Sequence, residues 1–495
     1  MEIPKPMQVV IYTYLSLPIA IFFLGWIKLY IAAPLCVLLI IALYRATELS
    51  VPEPYTPDTA QLMMKGNLWK FAIAFGIIFF WVLIGGVGKF TYQFGDHTTR
   101  NGIFELLVNS RWPVIIDSPH YDKPVGLIYY IGFWLPSALI GKCFGMTAGY
   151  LMQTIWASIG IFLLYYIVTV KFVRHVALWP LVVIIFFSGL DIVGKYIMGE
   201  DLLSIISNNR DHIEWWIGFP YLQYSSMTTQ LFWVFNQAVP IWLCTVVIIT
   251  QKNNRAIILI FATAMLYGVL PAMGIAVLVL FIGGNSFILA LKQKPLATSL
   301  RGLISDHLTF ENYVGVVIAL IFMAYFSGNL VSQSGSFRSW TDFSGVLVMV
   351  IVFFAVEAGF YLAVIAHSHK RNHLFYYVIV MLFFICPWYI IGIYNDFCMR
   401  ASIPAIVILM CLVIDSLSKA KESNSRKMTA VIICLLIIGS ITPLNEIVRS
   451  VSYTIETEKS DRPQGIYSIN PIEDNRIRDQ YYGYSDNIFF KYIGR

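Results

Sequence analysis

The sequence predicts an all-α, polytopic membrane protein, and three observations carry that reading. Hydrophobic residues make up 58% of the 495 positions and charged ones only 13%, a balance that excludes a soluble globular protein. Apolar runs recur from the first ten residues to about residue 443. Backbone groups in lipid must be satisfied internally, so these runs are helices, and the alternation of an outer-membrane barrel is absent. Lysines and arginines fall in the short connections between the runs, which orients them.

Taken in order, the run at 8–26 lacks a small-residue cleavage site and is followed at once by a second at 28–44, so it reads as a retained helix. The basic connections hold Arg45, Lys65 and Lys70, then Lys171 and Arg174, Lys252 and Arg255, Lys292, Lys294 and Arg301, Lys370 and Arg371, and Lys419 to Lys427. Keeping them cytoplasmic requires further crossings near 71–88, 146–170, 176–194, 230–249, 255–268, 270–290, 313–331, 344–366, 374–393, 402–418 and 428–443. The total is about thirteen transmembrane helices. Residues 1–70 then form a helical hairpin with a cytoplasmic loop, 71–443 a transmembrane core, and 444–495 a short extracytoplasmic tail. That tail is near the lower limit for an independent domain, so it is expected to pack on the core and to cap a site there.

The segment 125–141 does not fit as a crossing, because a span there would put Lys171 and Arg174 outside. Its shortness, aromatic content and Pro136 suit an interfacial helix. Residues 102–112, with Ile103, Leu106 and Leu107 on one face, read as a second helix lying on the surface. The segments facing away from the cytoplasm are then 89–145, 195–229, 332–343, 394–401 and the tail after about 444, and all the informative polar chemistry is on that side. The seven cysteines lack CxxC spacing and read as packing residues. A net charge of +6 without a basic arm points to the lipid bilayer and away from nucleic acid.

Loop 95–124 is hydrophilic, with acids at both ends. Asp96 follows Gly95 at a helix end, beside His97 and one turn from Arg100, which leaves a carboxylate at the membrane surface that can also serve as an N-cap. Asp122 and Lys123 precede Pro124, which fixes the direction of their side chains. Lys123 suits a phosphate at headgroup depth or an interfacial anchor.

Asp96 and Arg100, then an amphipathic stretch, Trp112-Pro113, and Tyr121-Asp122-Lys123-Pro124 together make a pattern that resembles the first outer loop of bacterial GT-C glycosyltransferases. The likeness is to the lipid A aminoarabinose transferase and protein O-mannosyltransferase family, and it covers residues 94 to about 170. The resemblance implies transfer of a sugar from a polyprenyl-phosphate donor to an extracytoplasmic glycan, lipid or protein acceptor. Asp96 would be the general base, with Lys123 or Arg100 on the donor phosphate. His97 stands where the family commonly has a second acid, Asp122 replaces its Glu, and two extra helices precede its usual first span. No cofactor is required, and the divalent metal of some relatives is not carried over.

The second outer loop offers His212 and Glu214 beside aromatic residues, among them Trp215, Trp216 and Tyr221, as a sugar pocket or an interfacial belt. With His97, Asp122 and Tyr121 they complete the candidate pocket for acceptor or sugar. Arg400 suits a phosphate grip from the far side of the cavity, or an ion pair with Asp396 at four-residue spacing. Asn236 and Gln237 lie at membrane depth and face the interior or a cavity; Asp191, near the outer end of its helix, and Glu357 each need a partner or a wet cavity, and of these two only Asp191 is placed for the outer site. His367, His369 and His373 read as solvated cytoplasmic residues. Two rivals stay open, a polysaccharide polymerase or ligase with a polyprenyl-diphosphate donor, and a lipid or polysaccharide transporter, which would show broken helices at midplane.

Overall fold

The structure is a computed structural model that describes residues 3–48, 66–201, 204, 212–214, 222–331, 335–338, 343–392, 394–422, 425–458 and 478–495. The chain is an all-α, multi-pass membrane protein with very little sheet. Its helices are α1 (Lys5–Trp26), α2 (Leu29–Glu48), α3 (Leu68–Ile84), α4 (Asp96–Asn109), α5 (Leu135–Phe144), α6 (Met146–Val168), α7 (Trp179–Phe186), α8 (Asp191–Ile197), α9 (Met227–Thr250) and α10 (Ile257–Met265). They continue as α11 (Val269–Lys292), α12 (Leu296–His307), α13 (Phe310–Phe326), α14 (Phe343–Phe354), α15 (Phe360–His369), α16 (His373–Ile379), α17 (Asp396–Ala401), α18 (Ile403–Glu422), α19 (Arg426–Gly439) and α20 (Ile441–Glu458). Strands β1 (Ile115–Ile116), β2 (Val125–Leu127), β3 (Ser336–Phe337), β4 (Tyr389–Ile390) and β5 (Tyr482–Tyr484) are short.

Among the described residues, nine helical segments are long and apolar enough to cross a membrane, ten if the pair α12 and α13, bent by 51°, counts as one span. Leu68–Ile84 and His373–Ile385 are apolar but shorter. Side chains such as Phe80, Leu280 and Ile437 are exposed on these helices, which is ordinary for a surface solvated by lipid. The centre is α9 with α18, both of them buried along most of their length.

The connections sort to two ends. At one, Arg45 meets Glu311, Lys70 Nζ reaches the Val176 carbonyl, and the Asn254 amide donates to Asp306. At the other, the Tyr92 amide donates to Thr454, Asn329 to the Ile128 and Gln480 carbonyls, and Arg400 to Tyr130. The first end gathers predicted cytoplasmic connections, the second the predicted outer ones.

Segment 125–141 is not one helix. Its first residues are β2, which pairs antiparallel with both β1 and β5, and helix resumes as α5 after a single 3-10 turn at Gly132–Trp134. Ten residues in α5 give about 15 Å, too short to cross. The surface helix expected at 102–112 begins earlier, at Asp96, and ends at Asn109.

Spans here are interrupted where they carry polar groups. The helix ending at Phe186 restarts at Asp191, and the run from 343 to 369 widens into a π turn at Ala355–Gly359. α9 is kinked at Val234, and π turns of this kind recur at functional positions.

Candidate functional site

α4 positions the first pair of groups. Asp96 is the first residue of the helix rather than its N-cap, and Gly95 stands at the cap without a side-chain bond. The Asp96 carboxylate instead accepts from Arg100 Nη2 at 3.1 Å, the i,i+4 geometry of facing side chains on one helix. Asp96 is 55% exposed and Arg100 only 8%. The second nitrogen of that guanidinium, Nη1, is buried with no hydrogen-bond partner among the described residues.

Arg400 approaches from the other side of the fold, at the end of α17. Asn395 starts that helix in a left-handed conformation and caps it by accepting from the Cys398 amide, which aims Arg400 at the loop. Arg400 Nη2 pairs with Asp396 at 2.9 Å and Nη1 donates to the Tyr130 hydroxyl at 3.0 Å, while Nε is buried and unpartnered. Tyr130 and Tyr129 share a hydroxyl-to-hydroxyl bond. Tyr481 packs on Tyr129 with ring centroids 4.8 Å apart. Burial, reinforced by Tyr130, pushes the Tyr481 phenol well above its usual range, and the charges of Arg100, Asp96 and Arg400 all act on it. Two carboxylates, Asp96 and Asp396, two buried guanidiniums and three tyrosines therefore share a single neighbourhood. Asp96, Arg100 and Arg400 are the sequence candidates brought together.

The other candidates make their hydrogen bonds elsewhere, although His97 still feels the Arg100 and Asp96 charges. Lys123 is 61% exposed and bonds Asp486 at 2.7 Å; that hydrogen bond raises the Lys123 ammonium and lowers the Asp486 carboxyl. Asp122 is exposed beside it. Tyr121 donates to Asp479 at 2.6 Å and accepts from Arg478 Nε at 3.2 Å, and burial with the Asp479 bond pushes its phenol up to about 12.

His97 is buried, stacks on Phe235, and sits 2.6 Å by Nε2 from the Phe232 carbonyl, two residues before the kink at Val234. Burial and the Arg100 charge lower it to about 4, so Nε2 carries a proton and donates as a neutral imidazole.

His212 and Glu214 belong to a second buried cluster. His212 Nδ1 lies 2.9 Å from Glu446 and Nε2 3.5 Å from Glu214; Arg449 also binds Glu446, at 2.7 Å. Burial opposes an imidazolium here, yet Glu446 and Glu214 outweigh it and hold His212 up to about 9. Glu214 accepts from the Ser226 amide at 2.7 Å, and Ser226 caps α9 through the Thr229 amide. Trp215, Trp216 and Tyr221 lie outside the described residues.

His369 is not the solvated residue expected from sequence. It is buried, 3.0 Å from Ser416 Oγ and 3.6 Å from Asp415. Among the described residues no three His, Cys, Asp or Glu side chains converge to hold a metal ion. Sequence reasoning missed Tyr129, Tyr130 and Tyr481; a YY pair after the Asp-Lys-Pro triplet was the available signal for the first two. No protein-family model, curated protein or solved structure matches the chain.

Proposed function

We propose that the chain is a GT-C type membrane glycosyltransferase, moving a sugar from a polyprenyl-phosphate donor to an acceptor hydroxyl on the extracytoplasmic face. The observation that carries this reading is the Asp96 carboxylate paired with Arg100 and within the electrostatic reach of Arg400, each guanidinium with a buried unpartnered N–H. Exposed carboxylate and buried cations suit different jobs. Asp96 takes the proton of the attacking hydroxyl as that oxygen bonds the anomeric carbon. The carbon-to-phosphate oxygen bond breaks with its electron pair on the lipid phosphate, where Arg100 and Arg400 meet the developing charge. Tyr129, Tyr130 and Tyr481 offer rings for a sugar face and hydroxyls for its substituents. The donor stays in the bilayer, so no nucleotide-sugar domain is needed.

The test is reconstituted transfer from a panel of polyprenyl-phosphate sugars, with the product identified by mass spectrometry. Asp96→Asn is expected to fold and insert while losing about 10²–10⁴-fold in rate; transfer at the wild-type rate would remove the base. Arg400→Ala is expected to weaken binding of a polyprenyl-phosphate analogue more than Lys123→Ala does, because Lys123 is solvated and paired with Asp486. The opposite order would return the phosphate role to Lys123.

A further inference from the structure

Two carboxyl groups at membrane depth stand outside the proposed transferase chemistry. Asp191 opens α8 at the break in its span, and Glu357 sits in the π turn of another span; they are 2% and 1% exposed. The two irregular segments are joined directly, the Leu190 amide donating to the Val356 carbonyl at 3.3 Å. Glu357 is aimed into the break, so that a Cβ at Gly189 would lie 1.8 Å from its Oε2. The carboxyls of Asp191 and Glu357 are within hydrogen-bonding reach of each other. Two carboxylates cannot bond without a positive charge between them, and as a carboxylate Glu357 leaves both oxygens buried and unpartnered. Around Asp191 the donors are hydroxyls, Ser188 at 2.9 Å and Thr442 at 2.8 Å.

Among the described residues, the cations near the pair are engaged elsewhere. Lys195, one turn along α8, is bound to Glu200 at 2.8 Å, and His212 and Arg449 are engaged with Glu446. The carboxyl of Glu214 also acts on Glu357. An uncompensated pair of buried charges here would be more than a fold of marginal stability tolerates. Broken helices whose freed ends and carboxylates face each other are a recurring way to hold a small cation inside a membrane protein.

We propose that Asp191 and Glu357, with the hydroxyls of Ser188 and Thr442, form a site for one small monovalent cation, Na⁺ or a proton. It is separate from the Asp96 neighbourhood and does not depend on the transferase reading.

The test uses the full chain in detergent or nanodiscs. Equilibrium binding of ²²Na⁺ reads the metal ion, and the infrared band of a protonated carboxylic acid at neutral pH reads the proton. Expected is either saturable Na⁺ binding or an acid band, in each case lost in Asp191→Asn and Glu357→Gln. If Na⁺ is the occupant, Ser188→Ala and Thr442→Val should weaken it about 10–100-fold, as loss of a supporting bond does at other ion sites. Wild-type protein with neither signal overturns the proposal without any variant having to fold. A signal that survives both carboxyl substitutions overturns it as well.

Discussion

His97 and His212 are both buried, yet the groups around them push their protonation in opposite directions, and each direction has a stability consequence. His97 is held down at about 4, below the unfolded value near 6.5, so its contribution is present above pH 6.5 and lost as pH falls through 4. His212 is held up at about 9, so its contribution is complete below pH 6.5 and lost as pH rises through 9. Thermal unfolding of the purified protein should therefore weaken toward both acid and alkali. His97→Gln should flatten the acid limb and His212→Gln the alkaline one; limbs unchanged by either substitution would sink the assignment. Removing Glu446 strands His212 and Arg449 in a buried site, and Glu446→Ala is expected to cost about 3–5 kcal/mol, measured by denaturant or thermal unfolding. In sequence, His212 and Glu214 were visible as a polar cluster. Their partner Glu446 lies 234 residues further on, a pairing that no local spacing reveals.

Among the elements, α20 shows how a membrane inverts ordinary amphipathicity. Its polar face, Thr442, Glu446, Arg449 and Ser450, is buried, while Leu444, Val448, Val451 and Ile455 are exposed. The inside of the protein satisfies the charges, and the apolar face is left exposed, as suits a surface against lipid. Leu444→Asp or Val448→Asp should therefore reduce membrane-extracted folded protein, whereas a soluble helix would accept them; equal yields would place this face in water. The same helix braces the approach to Asp96, with Ser450 donating to the Ile84 carbonyl and Thr454 accepting from the Tyr92 amide. Gly88 in that approach has φ +93° and would place a Cβ 2.2 Å from Thr154 Oγ1. Gly88→Ala is expected to destabilise by about 2–4 kcal/mol, combining left-handed strain with overpacking. Hydropathy read α20 as a tail because its apolar stripe is only half of each turn. For the same reason it read 125–141 as helix, since three strand residues inside an apolar run leave no periodic mark.

For the whole molecule, charge placement was the most legible property. It grouped Arg45, Lys70 and Arg255 at one end of the bundle, and the loops around Asp96 and Arg400 at the other. Crossing number was less legible, because segments such as Ile257–Met265 and His373–Ile379 are apolar but too short to decide by length. Meeting points between distant loops were not legible at all. Arg400 reaches Tyr130 across 270 residues, and Asn329 reaches Gln480 across 151. A stop codon before Tyr481 should leave a protein that inserts normally but has lost β5, Tyr481 and transfer together; retained transfer would remove Tyr481 from the site. Pairing of β5 with β2 also imposes an order in time. Ribosomes deliver Asp96 early and Tyr481 only after the described spans, so the tyrosine neighbourhood proposed beside Asp96 is completed late, when those spans are already in the bilayer. A nascent chain carries Asp96 without that complete neighbourhood, and membrane-bound synthesis intermediates should be inert toward donor until residues 482–484 join the sheet.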